Sequence, residues 1–410
     1  MPHVTLHTPF KSKNFTVQNR FYKAAMSEIL ANENHAPTEI MVKLYRRWAQ
    51  GQPGLLITGN VMIDRRALGE PRNVVVEDTR DIDMLTAWAE AGNQNGTQIW
   101  MQINHPGKQS PKSLSPHPVA PSAIPLTGNI ASYFAPPRAL TQEEIREIVQ
   151  RFATTAAIAQ EAGFAGVQIH AAHGYLISQF LSPHHNQRTD EYGGSLENRM
   201  RFLEEVYEAI RQKTGPDFPI GIKLNSADFQ QGGFSEEESM QVMKKMEDIG
   251  IDLIEISGGN YESPKMMQGT KRTQEREAYF LDFAERVRKL LKTPLVVTGG
   301  FRTEKAMQEA LESGATDLVG LARPFALNPD LPKAIAKGTY RPIFINPMQT
   351  RRSLSDKNTK SLLALFWYQQ QFLLIGKGKK PDLYLSPIKV IFKSFLFLRN
   401  GWNIFNFRRG

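Results

Sequence analysis

Apolar and polar positions along this chain follow two periods that take turns. Short runs rich in β-branched and aromatic residues alternate with longer stretches whose apolar positions recur three and four apart. The runs predict strands over residues 21–26, 54–61, 97–104, 166–170, 219–225, 251–257, 294–298 and 316–321. The longer stretches predict helices over 38–50, 81–93, 141–162, 198–213, 235–249, 277–292, 303–313 and 331–337. Two of these open on capping signals, Thr141-Gln142-Glu143-Glu144 and Ser235-x-x-Glu238. Eight strands, each followed by a helix, predict an α/β fold of the (β/α)8 TIM-barrel type. A doubly wound open sheet gives the same alternation, but no GxGxxG follows the first strand.

Two stretches break the rhythm: a Pro/Ser-rich connection over 106–137, and a second long loop after the fourth strand. Loops of that length in a compact domain tend to be functional or disordered. Beyond the barrel, assigned to residues 1–338, an extension over 339–410 begins with an apolar helix signal at 353–375. It ends in 384–407, where Phe392, Phe395, Phe397, Trp402, Phe405 and Phe407 are interleaved with Lys and Arg.

Charge sharpens that division. Of 50 Lys/Arg and 41 Asp/Glu, thirteen and two lie in 339–410, a net +11 that leaves −2 for residues 1–338. A near-neutral barrel gives no support to a nucleic-acid surface. The basic, aromatic tail suits a peripheral contact with an anionic membrane, a subunit contact in a homo-oligomer, or a cover over the barrel. The chain has no cysteine, which excludes disulfides, thiolate zinc sites and cysteine-held iron–sulfur clusters. Residues 1–13 lack the apolar core of a signal peptide, and no apolar run reaches a membrane span. The expected location is the cytoplasm, with the tail as the one membrane-peripheral candidate.

In a barrel the chemistry sits at the carboxyl ends of the strands. The fourth strand ends in His170-Ala171-Ala172-His173-Gly174-Tyr175. Its imidazoles can donate to a carbonyl or anionic oxygen, and its phenol can deliver a proton. Side chains three apart on an extended strand face opposite sides, so the rings converge only if the strand ends near 171–172 and the chain turns, as Gly174 permits. The pattern equally describes one buried and one loop histidine, each satisfied by the backbone. The first strand ends in Ala24, Ala25, Met26 and Ser27, small enough for a flat ring to approach. The third carries Gln102 and Asn104, and the fifth Lys223 and Asn225. Gly299 and Gly300, before a helix starting near Thr303, with Ala322 and Arg323 after the eighth strand, read as a phosphate site. A tight turn beside a surface arginine is the plain alternative. Together these ends suggest a phosphorylated planar cofactor over the barrel mouth.

At these residues the chain resembles the Old Yellow Enzyme family of FMN-dependent NAD(P)H oxidoreductases. The likeness is carried by residues 102–108 (QINHPGK), 170–175 (HAAHGY), 179–183 (QFLSP) and, most specifically, 186–199 (NQRTDEYGGSLENR). It implies that Ala25, Met26 and Ser27 line the flavin, with Ser27 standing where the family has Thr or Cys. It further implies that Gln102 and Lys223 meet the pyrimidine side, and that Gly299, Gly300, Ala322 and Arg323 hold the phosphate. His170 and His173 would bind the oxygen of an electrophilic alkene, and Tyr175 would protonate it. NADH or NADPH would donate electrons in ping-pong fashion. Glu28-Ile29-Leu30 lacks the aromatic that some relatives place there. Another FMN barrel oxidoreductase, or a non-catalytic flavin-binding scaffold, is the alternative.

Overall fold

The structure, a computed structural model, describes residues 4–260, 262, 277–345, 357–386 and 389–390. Eight parallel strands close a barrel: β1 (Phe21–Lys23), β2 (Leu55–Ile57), β3 (Gln98–Asn104), β4 (Gly166–Ala171), β5 (Ile220–Asn225), β6 (Leu253–Ser257), β7 (Leu295–Thr298) and β8 (Leu318–Leu321). Each pairs with its neighbours in sequence, and β8 closes the ring on β1 through Val319↔Phe21 and Leu321↔Lys23. Around it run α1 (Glu39–Gln50), α2 (Ile82–Gly92), α3 (Gln142–Glu161), α4 (Leu196–Thr214), α5 (Glu236–Ile249), α6 (Leu281–Arg288), α7 (Glu304–Glu312) and α8 (Leu331–Ala336). Both predicted capping boxes form, on Thr141 with Glu144 and on Ser235 with Glu238.

Some boundaries differ from the sequence expectation. β1 stops at Lys23, so residues 24–27 leave the sheet as the chain turns across the mouth. The run over 54–61 splits, and Val61–Met62 forms a separate short strand against the end of β3. The helix expected over 277–292 contracts to α6.

Inside the barrel, the two-residue period puts Tyr22, Leu55, Ile57, Trp100, Leu253, Val296 and Leu318 in one apolar cluster. An antiparallel hairpin, Phe10–Lys11 with Thr16–Val17, closes its bottom, where Phe15 meets the Trp100 ring edge-on at 5.1 Å. Two glycines make room for that indole. A Cβ on Gly166 would lie 2.7 Å from Trp100 Cε2, and one on Gly221 3.1 Å from Cζ3. The lower barrel is therefore packed core, and polar side chains begin one layer above it.

The long 106–137 connection is ordered by cross-links rather than by a core of its own. Val119–Ala120 pairs with Arg138–Ala139, and the Arg188 guanidinium donates to Pro121 O at 2.9 Å and Leu140 O at 2.6 Å. Residues 186–199 have the same structural office. Asn186 Nδ2 donates to Phe180 O and Tyr192 O at 2.8 and 2.7 Å, and Arg199 reaches Leu181 O and Glu238.

Within the extension the described residues include a long helix, α9 (Lys357–Gly376). Phe372 packs edge-on against Trp48 of α1 at 5.3 Å, and Trp367 Nε1 donates to Leu385 O at 2.9 Å. Gly376 lies so close to α1 that a Cβ would meet Ile40 O at 2.6 Å. Most of the basic, aromatic stretch over 384–407, and with it the expected membrane contact, lies outside the described residues. Among the described residues no helix is long and apolar enough to cross a membrane.

Candidate active site

Above the apolar layer, the inward positions of β3 to β7 become polar and share one carboxylate. Glu255 of β6 is fully buried. Its oxygens accept from Tyr22 Oη at 2.8 Å, Gln168 Nε2 at 2.8 Å and Thr298 Oγ1 at 2.7 Å, and Lys223 Nζ lies at 3.0 Å. Gln168 in turn accepts from Gln102 Nε2 at 2.7 Å. Burial pushes the Glu255 carboxyl up, but Lys223 and the hydrogen bonds outweigh it and hold the group below its ordinary value. Gln102 and Lys223, picked out by position alone, thus belong to a single network, and Lys223 carries a partner that the sequence did not reveal. Its charge is largely compensated by Glu255.

One layer higher, β4 ends at Ala171 and the chain turns through His173 (φ 62°) and Gly174 (φ 78°). The turn brings the rings together. His170 lies 5.1 Å from His173 and 4.8 Å from Tyr175 between centroids, both edge-on. Neighbouring segments fix the turn: Asn225 Oδ1 of β5 accepts from His173 N at 3.1 Å, and Gln109 Nε2, in the turn after β3, donates to His173 O at 2.9 Å. Ser257 Oγ sits 2.7 Å from His173 Nε2. His170 Nδ1 accepts from Ala172 N at 3.3 Å, which leaves the ring proton on Nε2. Burial first, and then nearby Lys223, hold both imidazoles well below their ordinary value, so both are neutral at neutral pH.

On the opposite side of the mouth the strand ends stay partly open. Ala25, Met26, Ser27, Gly299, Gly300, Ala322 and Arg323 are all half-buried, whereas the strands below them are closed. Ser27 Oγ is closed off beside the buried Glu70 carboxyl, whose pKa burial raises and the Ser27 and Gln369 side chains lower. Glu28 turns under the mouth. There it accepts from Tyr45 Oη and from Gly59 N, the latter at 2.9 Å. The helix end expected to receive a phosphate differs in detail: Glu277 Oε2 accepts from Arg302 N at 2.8 Å and Thr303 N at 2.7 Å. A carboxylate from this chain caps α7, so an incoming phosphate is left the glycine turn and the arginines. Arg302, passed over in the sequence, stands close enough to Arg323 that burial and then that second guanidinium lower its pKa. Among the described residues neither arginine has a carboxylate ion pair. Two uncompensated guanidinium groups beside a glycine turn suit a phosphate.

The site therefore fits a flat phosphorylated group: half-open small residues under the ring, amide and amine groups at one edge, and paired cations at the end. Sequence reading missed Glu255, Gln168, Ser257 and Arg302. Only the adjacency of Arg302 to Gly300 could have flagged any of them.

The family described as NADH:flavin oxidoreductase / NADH oxidase matches residues 5–341. A protein of Hypocrea jecorina (strain QM6a), named NADH-dependent flavin oxidoreductase iliE, is 40% identical over 346 residues, covering 78% of this chain and 86% of its own length. A protein of the same name from Neonectria sp. (strain DH2) is 39% identical over 358 residues, but the chain spans only 47% of that relative's length. The solved Old Yellow Enzyme homologue from Zymomonas mobilis superposes with a TM-score of 0.72 at 29% identity, covering 87% of this chain and 98% of that one.

Proposed function

The chain belongs to the NADH:flavin oxidoreductase / NADH oxidase family, the FMN-dependent oxidoreductases that take electrons from NADH or NADPH, and from that premise we propose that it reduces activated C=C bonds. The substrate class is α,β-unsaturated carbonyl or nitro compounds. The reading rests above all on the convergence of His170, His173 and Tyr175 at the end of β4.

Ala25, Met26, Ser27, Gln102, Lys223, Gly299, Gly300, Ala322 and Arg323 hold the cofactor, with Arg302 added at the phosphate end. FMN, when bound, supplies the redox chemistry, relaying a hydride from the nicotinamide to an electrophilic carbon. The remaining work belongs to side chains. His170 donates through Nε2 and His173 through the ring nitrogen that Ser257 leaves available, both to the carbonyl or nitro oxygen. As neutral donors they polarise the conjugated bond without giving up a proton, and they draw charge onto the oxygen as the bond is reduced. Tyr175, packed against His170, delivers the proton to Cα. The polar layer beneath holds Lys223 in place through Glu255.

An anaerobic titration tests this reading. FMN absorbance should bleach with NADH or NADPH and return on addition of 2-cyclohexenone. Bleaching that no enone, unsaturated aldehyde or nitroalkene reverses would overturn the substrate class. Failure to bind FMN would overturn the whole reading.

A further inference from the structure

Helix α9 turns one face toward the phosphate end of the mouth. Tyr368 and Phe372 stand four residues apart and so share that face, one turn from each other. Phe372 meets Trp48 edge-on at 5.3 Å, and Trp48 Nε1 donates to Phe325 O at 3.1 Å. Phe325 belongs to the short helix Arg323–Leu327, against which α9 also packs directly. One turn before Phe372, Tyr368 is carried toward the start of that helix, where Arg323 stands. Its ring is buried and held edge-on by Trp367 at 5.2 Å. Burial raises the pKa of its phenol, and Arg323 and then Arg302 lower it, so the hydroxyl lies within the field of both guanidinium groups.

That hydroxyl faces open space. Among the described residues it has no hydrogen-bond partner, yet it is not one of the polar atoms closed off from solvent. The same holds for the Arg323 guanidinium, which has neither a hydrogen bond nor an ion pair among those residues. Arg302, by contrast, is anchored: its Nη1 donates to Phe301 O at 2.6 Å, and Tyr340 Oη donates to its carbonyl at 2.7 Å. Packing alone would be served as well by phenylalanine, whose ring fills the same space without a hydroxyl to satisfy. An open guanidinium and an open phenol near the Gly299–Gly300 turn suit one class of group, phosphate oxygens, which accept from both.

We propose that Tyr368 is a phosphate ligand supplied by the extension, its phenol O–H donating to a phosphate oxygen of FMN alongside Arg323. This rests on the FMN reading above, and it adds to that reading a donor from outside the (β/α)8 unit.

The test measures dissociation constants for FMN and for riboflavin, which has the same ring and no phosphate. Both are measured in the full-length chain and in Tyr368→Phe, which removes only the hydroxyl. FMN binding should weaken by at least about tenfold while riboflavin binding stays within about twofold, because only FMN offers the charged acceptor. Equal losses for the two ligands would make Tyr368 a packing residue, and an unchanged FMN affinity would mean that its hydroxyl meets no phosphate. Either result overturns the proposal. Hydrogen exchange on the unaltered chain decides the matter if Tyr368→Phe does not fold. FMN should slow exchange across residues 364–372 more than riboflavin does, and equal protection by the two refutes the proposal. A parent chain that binds neither flavin would sink the underlying reading, whereas a parent that prefers FMN regardless of Tyr368 sinks this proposal alone.

Discussion

Burial holds His170 and His173 neutral, as the proposed function requires, and the same burial makes stability depend on pH. The clearest case is His105, fully buried and pulled down by burial to about 4. Its folded value lies below the unfolded value of about 6.5, so the unfolded chain takes up the proton first as pH falls. The stabilisation is complete above about pH 6.5 and is lost as pH drops toward 4. For this residue alone it amounts to about 3 kcal/mol. Urea unfolding at pH 7.5 and pH 5 should show the loss. In His105→Asn, whose amide oxygen can still accept from Gly107 N, the loss should shrink. A parent profile flat over that range would contradict the assignment. Glu255 gives a second prediction. Glu255→Ala leaves Lys223 buried without its partner and should cost about 3–5 kcal/mol in urea unfolding, while Lys223→Met with Glu255→Leu should recover much of it. Equal losses in the single and double variants would mean that the pair is not coupled.

At the scale of elements, the turn after β4 decides whether His170, His173 and Tyr175 meet. Gly174 has φ 78°, and a Cβ there would lie 2.6 Å from Gln109 Oε1 and 2.9 Å from Asn260 Cβ. Gly174→Ala should therefore cost about 1–3 kcal/mol and displace His173. Phenols bound over the flavin should then lose their long-wavelength charge-transfer band; an unchanged band would show that the turn tolerates the change. The strands, most helices and the turn itself were legible in the sequence, because each depends on local period, capping and a glycine. The Glu255 network was not. Its members, Tyr22, Gln102, Gln168, Lys223 and Thr298, come from five other strands, and only barrel closure makes them neighbours. The specific stretch over 186–199 showed the opposite limit. It identified the family well, yet the contacts its side chains make tie loops together.

Across the whole molecule, the proposed function depends on what the barrel gathers at one end: imidazoles and a phenol on the β4 side, guanidinium groups on the β7–β8 side, and half-open small residues between. The extension joins that end through Gln369, which sits 342 positions from Ser27 in sequence and hydrogen-bonds its carbonyl. No local pattern could have announced that contact. The central claim, that Tyr175 supplies the proton while the histidines hold the oxygen, is tested most directly by rapid mixing of Tyr175→Phe. Bleaching by NADH should stay within about twofold of the parent chain, and reoxidation by an enone should slow by at least about a hundredfold. Equal slowing of both steps, or of neither, would contradict it.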